Sequence, residues 1–485
     1  MLTFIKYITK LILPKIFVYA GLLIFIVIFY KATMQRGLIS GYTIVFIPFI
    51  TIAMYLLLKN PLWGFIILFI SNYFIMGVNR YISFPIPISV FMDSIISFIF
   101  LALILKTIHI KTEWKRVLNP LTLITLIWFI FCILELINPK ITSFADWFTK
   151  VRSLAFYPIV MVILVSVILS KYKNVKLLLL VWSVLTLLAA FKGYWQKNHG
   201  FDSTELIWLY TGGGRTHLIS TGIRYFSFFS DAGNYGSNMG FSLVVFSIAA
   251  FYIKNKWLKA YFLIVAISGG YGMAISGTRG ALAVPFAGYA IFILLSKKWE
   301  LALSSLFILI SAICFLNFTT IGNNNQTIKR MRSGFDTNDA SFNVRLENQK
   351  NLKQHLKNLP FGAGIGFGNT PDVNSPDYEF SGIPSDSWLV RVWIQTGVVG
   401  LSIYILLLFV GIISGGYIIL FKIRDKELGG VLAALLAGVV GMTASAYGNE
   451  ILGQYPTCYL YFICFAIVFM GKYYDKELEE HEQLT

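Results

Sequence analysis

An all-α integral membrane protein with about fourteen transmembrane helices (12–14) is the fold class this sequence predicts, on three observations. Hydrophobic residues make up 57% of the 485 positions and charged ones 13%, with a mean hydropathy of +0.71; a water-soluble globule does not sustain that balance. Apolar stretches of about 20 residues recur along the chain, the length at which a helix crosses a bilayer. Short lysine-rich loops alternate with longer polar ones, as the positive-inside rule requires. The four cysteines, Cys132, Cys314, Cys458 and Cys464, sit in or beside apolar stretches without paired spacing, which argues against a metal site and against cysteine chemistry. The net charge of +17 comes with no nucleic-acid-binding motif.

Taken in order, the spans read near 12–31, 40–58, 61–78, 88–107, 118–137, 152–170, 175–194, 235–253, 257–276, 280–296, 299–318, 398–421, 428–446 and 455–471. The N-terminal MLTFIKYITKLILPK carries three lysines and no small-residue cleavage site follows, so it reads as an anchor with its N-terminus inside. Lys106 to Arg116, Lys171 to Lys176, Lys254 to Lys259, Lys297 with Lys298, and Lys422 to Lys426 then fall in the cytoplasm, together with the acidic tail. The opposite face receives 31–40, 78–88, 138–152, 194–234, 319–388 and 447–455. The expected division is 1–214 as N-terminal helices, 215–405 as the functional core, and 406–485 as C-terminal helices and tail.

The stretch from Thr319 to Trp388 is the one long polar segment. A loop of this length, held at both ends by spans, commonly carries function. Phe342, Leu346, Leu352, Leu356 and Leu359 recur at helical spacing between Arg345, Glu347, Lys350, Lys353 and Lys357, so a helix is expected inside it, ended by Pro360. Gly362, Gly364, Gly366 and Gly368 follow. They read as a tight turn or as a backbone cradle for phosphate.

Arginine and lysine sort differently. Ten of the twelve arginines (Arg36, Arg80, Arg152, Arg215, Arg224, Arg279, Arg330, Arg332, Arg345 and Arg391) fall on the outer side, against the positive-inside trend. Guanidinium is a fixed fork that matches phosphate oxygens two at a time, so an anionic, phosphorylated ligand at that face accounts for the set. For single arginines, snorkelling or pairing with acids such as Asp146 and Glu205 is the alternative. Arg279, in AISGTRGAL, enters at membrane level beside small residues. Arg224 precedes an aromatic-rich entry to the next span, with Asp231, Asn234 and Asn238 behind it, and Arg345 opens the loop helix. Arg215, Arg330 and Arg391 are further candidates for a diphosphate. His217, beside Arg215, is either a base or a hydrogen-bonded structural residue. Asp386 is either a base or a cap of the helix starting near Trp388. Asp93 reads as a functional acid or as the ion-pair partner of Arg80 or Arg152. Trp195, Trp208, Tyr210, Trp388 and Trp393 could stack on sugars or sit at the membrane interface.

The SGTRG turn at Ser276–Gly280, the stretch from Arg345 through LPFGAGIG to Gly366, and Ser385 to Leu401 with its TGVVGL entry into a helix resemble the O-antigen ligase/polymerase superfamily of membrane glycosyltransferases. The earlier RYFSFFSDAGNYG is similar to that family's arginine, aromatic and asparagine pattern before a helix, so the specific part covers about 215–405. The resemblance implies a GT-C-like helical bundle with an outward-facing active site under one large extracytoplasmic loop, in a bacterial inner membrane. It implies a polyprenyl-diphosphate-linked glycan donor and an acceptor hydroxyl on a lipid-linked repeat unit, on a lipid A core sugar or on a protein. No cofactor, metal or nucleotide sugar is implied. Arg279 is then the first choice to meet the leaving diphosphate, with Arg224, Arg215 and Arg345 in support. In the ligase branch a His–Asn pair commonly begins the motif that here reads Ser385–Asp386, so Asp386 is the nearest substitute base and the polymerase branch is favoured; His217 and Glu347 are the other candidate bases. A glycolipid transporter would instead show two similar halves and broken helices at matching positions, and an assembly scaffold would need no converging arginines.

Overall fold

The computed structural model describes residues 27, 29–30, 34, 55, 58–82, 87–109, 113–141, 143–219, 222–324, 326–335, 340–367 and 383–484. The chain divides into two compact units, one comprising residues up to Gly64 with Ile96–Ile110, the other Phe65–Ile95 with everything from Lys111 onward.

The described residues are overwhelmingly helical: α1 (Pro61–Tyr81), α2 (Ile88–His109), α3 (Pro120–Leu134), α4 (Phe144–Val151), α5 (Tyr157–Ile168), α6 (Tyr172–His199), α7 (Ser203–Trp208), α8 (Gly214–His217), α9 (Ala232–Tyr252), α10 (Lys256–Ile275), α11 (Ala283–Leu295), α12 (Trp299–Phe318), α13 (Gln326–Arg332), α14 (Ala340–Leu356), α15 (Trp388–Phe421), α16 (Lys426–Ser445), α17 (Thr457–Phe469) and α18 (Gly471–Leu484). A two-residue antiparallel pair, β1 (Leu218–Ile219) with β2 (Gly222–Ile223), is the only sheet among them. A π-helical turn, Arg152–Phe156, joins α4 to α5 as one span. Nine helices among the described residues are long and apolar enough to cross a membrane, ten if the bent pair α17–α18 counts as one span; this is a multi-pass membrane protein. Twelve of the fourteen expected spans coincide with helices. The other two, 12–31 and 40–58, lie outside the described residues except for positions 27, 29–30, 55 and 58.

The core of the larger unit is built from helices that are apolar or small on every side, the pattern of a helix enclosed by others. All thirteen residues of α17 are buried, as are most of α9 and α16. α9 and α10 approach closely because Gly269 has no side chain: a Cβ there would lie 2.8 Å from the Met239 carbonyl oxygen. Polar residues at the start of α9 are paired internally. Asn234 Nδ2 donates to the Tyr455 carbonyl at 2.7 Å, Asn238 Nδ2 to Thr457 Oγ1 at 2.8 Å, and Thr457 Oγ1 to Asn234 Oδ1 at 2.8 Å. In a dry interior such a network locks the α9 start to the loop before α17.

The two sets of loops gather at opposite ends. At the lysine-rich end Arg116 Nη1 reaches the Ser170 carbonyl (2.8 Å), Lys176 pairs with Glu427 (2.6 Å), and Lys297 Nζ reaches the Ile423 carbonyl (2.7 Å). Asp475 of α18 accepts the backbone N–H groups of Arg424 and Asp425. At the other end Arg80 donates to the Ser227 and Phe229 carbonyls. There Asp93 takes Arg152 (2.8 Å) and the Tyr157 hydroxyl (2.9 Å), so of the two readings of Asp93 the pair with Arg152 is formed.

The segment between α12 and α15 contains α13 and the expected helix α14, whose Leu352 and Leu356 pack with Ala363, Val390 and Ile394. The glycine tract that follows makes turns. Gly362, Gly364 and Gly366 all have left-handed φ, from 76° to 107°. Pro360–Ala363 enters a break in α15 at Gly397 (φ 64°): Ala363 N donates to the Ile394 carbonyl at 2.8 Å and Val399 N to the Pro360 carbonyl at 3.2 Å. A Cβ on Gly362 would lie 2.6 Å from the Ile394 oxygen, so the tract clasps the broken helix. Gly368 lies outside the described residues.

Candidate functional site

The turn between α10 and α11 organises the loop-rich end. α10 stops because Ser276 turns its Oγ back to the Met273 carbonyl (2.7 Å) and Gly277 takes a left-handed φ of 58°, a common helix ending. Thr278 Oγ1 donates to the Ala232 carbonyl (2.8 Å), tying the turn to the start of α9. Three arginines from three segments meet it. Arg224 Nη2 donates to Thr278 Oγ1 at 2.8 Å, Arg330 Nε donates to the Gly277 carbonyl, and Arg279 sits on the turn with Nη1 3.4 Å from Ser333 Oγ.

Beside this turn opens a cavity of about 650 Å³. Arg224, Asp231 and Gly233 line one side, Arg345 and Phe367 another, and Ser385, Asp386, Arg391 and Gln395 a third; Gly448 to Ile451 and Gln454 complete it. Burial pushes the Arg224 guanidinium below its ordinary pKa, and Arg279 and Arg345 push in the same direction against Asp231. Arg224 thus feels the charges of both Arg279 and Arg345. Only neutral oxygens accept from Arg224, the Thr216 carbonyl (2.8 Å) and Thr278 Oγ1, and its buried Nε has no hydrogen-bond partner. Among the described residues no carboxylate pairs with Arg345, which lies beside Gly448. Arg224 and Arg345 thus keep guanidinium donors that no carboxylate pairs with directly, which favours an anion between them.

The acids of the cavity are in different states. Asp231 caps α9, its Oδ1 accepting from Gly233 N (2.7 Å) and Asn234 N (2.9 Å). Glu450 forms an ion pair with Arg391 at 2.7 Å and accepts from Ser385 Oγ. Asp386 is exposed, has a left-handed φ of 49° and makes no hydrogen bond with the described residues. A non-glycine residue held there is strained by roughly 1–3 kcal/mol, a feature concentrated at functional sites. The cap of α15 is Ser387, without a side-chain cap bond, so Asp386 is not spent on capping.

Five of the nine site residues expected from sequence therefore border this cavity: Arg224, His217, Arg345, Asp386 and Arg391. Arg279, on the SGTRG turn, and Arg330, on α13 against that turn, do not line it, and Arg215 is exposed on α8. Trp388 is 4% exposed, donates Nε1 to the Tyr404 hydroxyl at 2.9 Å, and touches only a smaller neighbouring chamber. His217 is 1% exposed. Its Nε2 accepts the Ala232 N–H (3.0 Å), which leaves the proton on Nδ1, donated to the Gly213 carbonyl (2.7 Å). Burial holds it below the ordinary histidine pKa, with the Arg224 and Arg80 charges adding to this. The lone pair a base would use is already committed. Sequence reasoning passed over Glu450, Asn449, Gln395, Gln454 and Lys150. Their one signal was position: an acid next to an asparagine in the short 447–455 loop, and a lysine on the arginine-rich side.

The O-antigen ligase family model matches residues 260–405, from α10 into α15. Arg279, Arg330, Arg345, Asp386 and Arg391 fall within the match, whereas Arg215, His217 and Arg224 precede it. No curated protein matches the chain. The match, 146 of the 485 residues, makes that segment similar to the O-antigen ligase/polymerase superfamily.

Proposed function

We propose that this multi-pass membrane protein, with its O-antigen ligase segment, is an inverting glycosyltransferase that moves a polyprenyl-diphosphate-linked oligosaccharide onto an acceptor hydroxyl at the outer face of a bacterial inner membrane. The observation that carries the reading is the meeting of Arg224 and Arg345 at one cavity, with Arg279 near enough for its charge to bear on Arg224 and no carboxylate paired to Arg224 or Arg345 among the described residues. The lysine-rich end opposite supports an orientation with that end in the cytoplasm.

In the proposed step the acceptor oxygen attacks the anomeric carbon of the donor sugar, and the bond from that carbon to the diphosphate oxygen breaks. The electron pair leaves with the polyprenyl diphosphate, and a single displacement inverts the centre. Preorganised guanidinium groups stabilise the charge that develops on the leaving group, a role worth several kcal/mol in a water-poor site. They supply the positive charge that a metal would otherwise bring. Asp386, lining the same cavity with an uncommitted carboxylate, takes the acceptor proton. His217 is a structural support that fixes the start of α9. Arg279, on the SGTRG turn, adds its positive charge to that of Arg224.

Ser385–Asp386 at the position where ligases commonly carry a histidine favours polymerisation of repeat units over transfer to a lipid A core. The test is the surface-glycan ladder and the lipid-linked pool of the native host with the gene deleted, then restored as wild type or as Arg279→Ala. A polymerase deletion leaves single repeat units on the final acceptor; a ligase deletion leaves long chains on the polyprenyl carrier. An unchanged ladder and pool, or full restoration by Arg279→Ala, contradicts the assignment.

A further inference from the structure

The larger cavity shares a wall with a smaller chamber of about 200 Å³. Arg391, Gln395, Glu450 and Gln454 border both spaces. Lys150 and Ser153, where α4 passes into its π-helical turn, close the far side.

The chemistry of this chamber is one-sided. Gln395 is 2% exposed, and its Nε2 has no hydrogen-bond partner, an arrangement that costs about 1–3 kcal/mol unless a ligand or water completes it. Gln454 uses its Oε1 to accept from Ser230 Oγ at 2.8 Å, which leaves its amide nitrogen as a donor. Lys150 is half-buried and makes no ion pair with the described residues; the charges that face it are Arg391, Glu450 and Asp146. The one carboxylate on the shared wall is engaged on both oxygens, by Arg391 and by Ser385. Donors and positive charge therefore exceed the acceptors available to meet them. A ligand that satisfies the chamber presents several oxygens and a negative charge, and the volume admits a single ring.

We propose that this chamber binds an acidic sugar, a pyranose bearing a carboxylate, and that it is the acceptor subsite. The Arg391–Glu450 pair forms the partition from the donor diphosphate. The word acceptor rests on the glycosyltransferase reading above; the preference for an acidic ring rests only on the chamber.

The test uses the full-length protein in detergent, with methyl β-glucuronide and the neutral methyl β-glucoside as probes followed by saturation-transfer NMR. Wild-type protein is expected to bind the glucuronide roughly tenfold more tightly, the effect of one charge-assisted hydrogen bond. Lys150→Gln and Gln395→Leu should each bring the two sugars close to parity, whereas Lys150→Arg should keep the preference. Equal binding of both sugars to wild type overturns the proposal without recourse to any variant, as does an undiminished preference in both Lys150→Gln and Gln395→Leu. The same samples are titrated with a polyprenyl diphosphate. Glucuronide preference without lipid-diphosphate binding overturns the glycosyltransferase reading and leaves the acidic-sugar chamber standing; lipid-diphosphate binding without the preference overturns the chamber alone.

Discussion

Within the larger unit the lysine-rich loops and the arginine-rich loops use their positive charge in different ways. At the lysine-rich end cations meet acids or carbonyls: Lys176 pairs with Glu427, Arg424 with Glu479, and Lys297 with the Ile423 carbonyl. α18 supplies acids there, and the pocket that Lys176, Lys254, Asp425 and Glu427 border holds about 200 Å³ against about 650 Å³ for the arginine-lined one. At the arginine-rich end some pairs are also complete, such as Arg152 with Asp93 and Lys192 with Glu205 (2.9 Å). Arg224 and Arg345, however, face a cavity without a paired carboxylate. A charge that is matched locally holds loops together; a charge left unmatched beside a cavity is available to a ligand. The difference lies in the distribution of carboxylates, and it separates anchoring cations from binding ones.

The sharpest way to break that contrast is to remove one charge from each end. Arg224→Ala should lower glycan transfer roughly a hundredfold to a thousandfold, as expected for a donor aimed at developing charge, while Lys176→Ala should leave transfer within a factor of two; chain-length analysis in the native host measures both. Next in size, Asp386→Asn should slow transfer roughly a hundredfold while the lipid-linked donor still binds. A loss of donor binding in this variant would make Asp386 a structural residue.

His217 gives a smaller effect with a definite sign. Its folded-state pKa lies below the ordinary value of about 6.5, so the folded protein favours the neutral ring. The stability it contributes is complete above about pH 6.5 and is lost as pH falls below that toward the folded value. Thermal unfolding in detergent should show a transition temperature that declines with acidification over this window, and His217→Asn should lack that component. Smallest of all, Glu427→Gln at the lysine-rich end should cost no more than about 1 kcal/mol, because its partner Lys176 is nearly half exposed and screened.

The sequence made the spans and the two-sided sorting of lysine and arginine readable, because both follow from hydropathy and from the physics of the bilayer. It also made the SGTRG turn readable, since Ser, Gly and Thr end a helix by known chemistry. Choosing among the arginines was beyond it. Arg330 donates to the backbone and Arg215 stays exposed, whereas Arg224 reaches the cavity, and nothing in their local sequence separates the three. Glu450 was invisible because its meaning comes from Arg391 and Ser385, far away along the chain. Gln395 lies just before the expected span 398–421, inside the Ser385–Leu401 motif, and only the break of α15 at Gly397, clasped by Pro360–Ala363, gives it a setting beside the cavity. Trp388 illustrates the converse: an aromatic at a loop–helix junction, attractive as a sugar platform, is buried against Tyr404.

The claim that the unmatched arginines hold a diphosphate is tested most directly by titrating the purified full-length protein with a polyprenyl diphosphate and with the corresponding monophosphate. Wild type should prefer the diphosphate, and the preference should vanish in Arg224→Ala and in Arg345→Ala but persist in Lys176→Ala. Equal affinity for the two lipids, or a preference that survives both arginine substitutions, would contradict it.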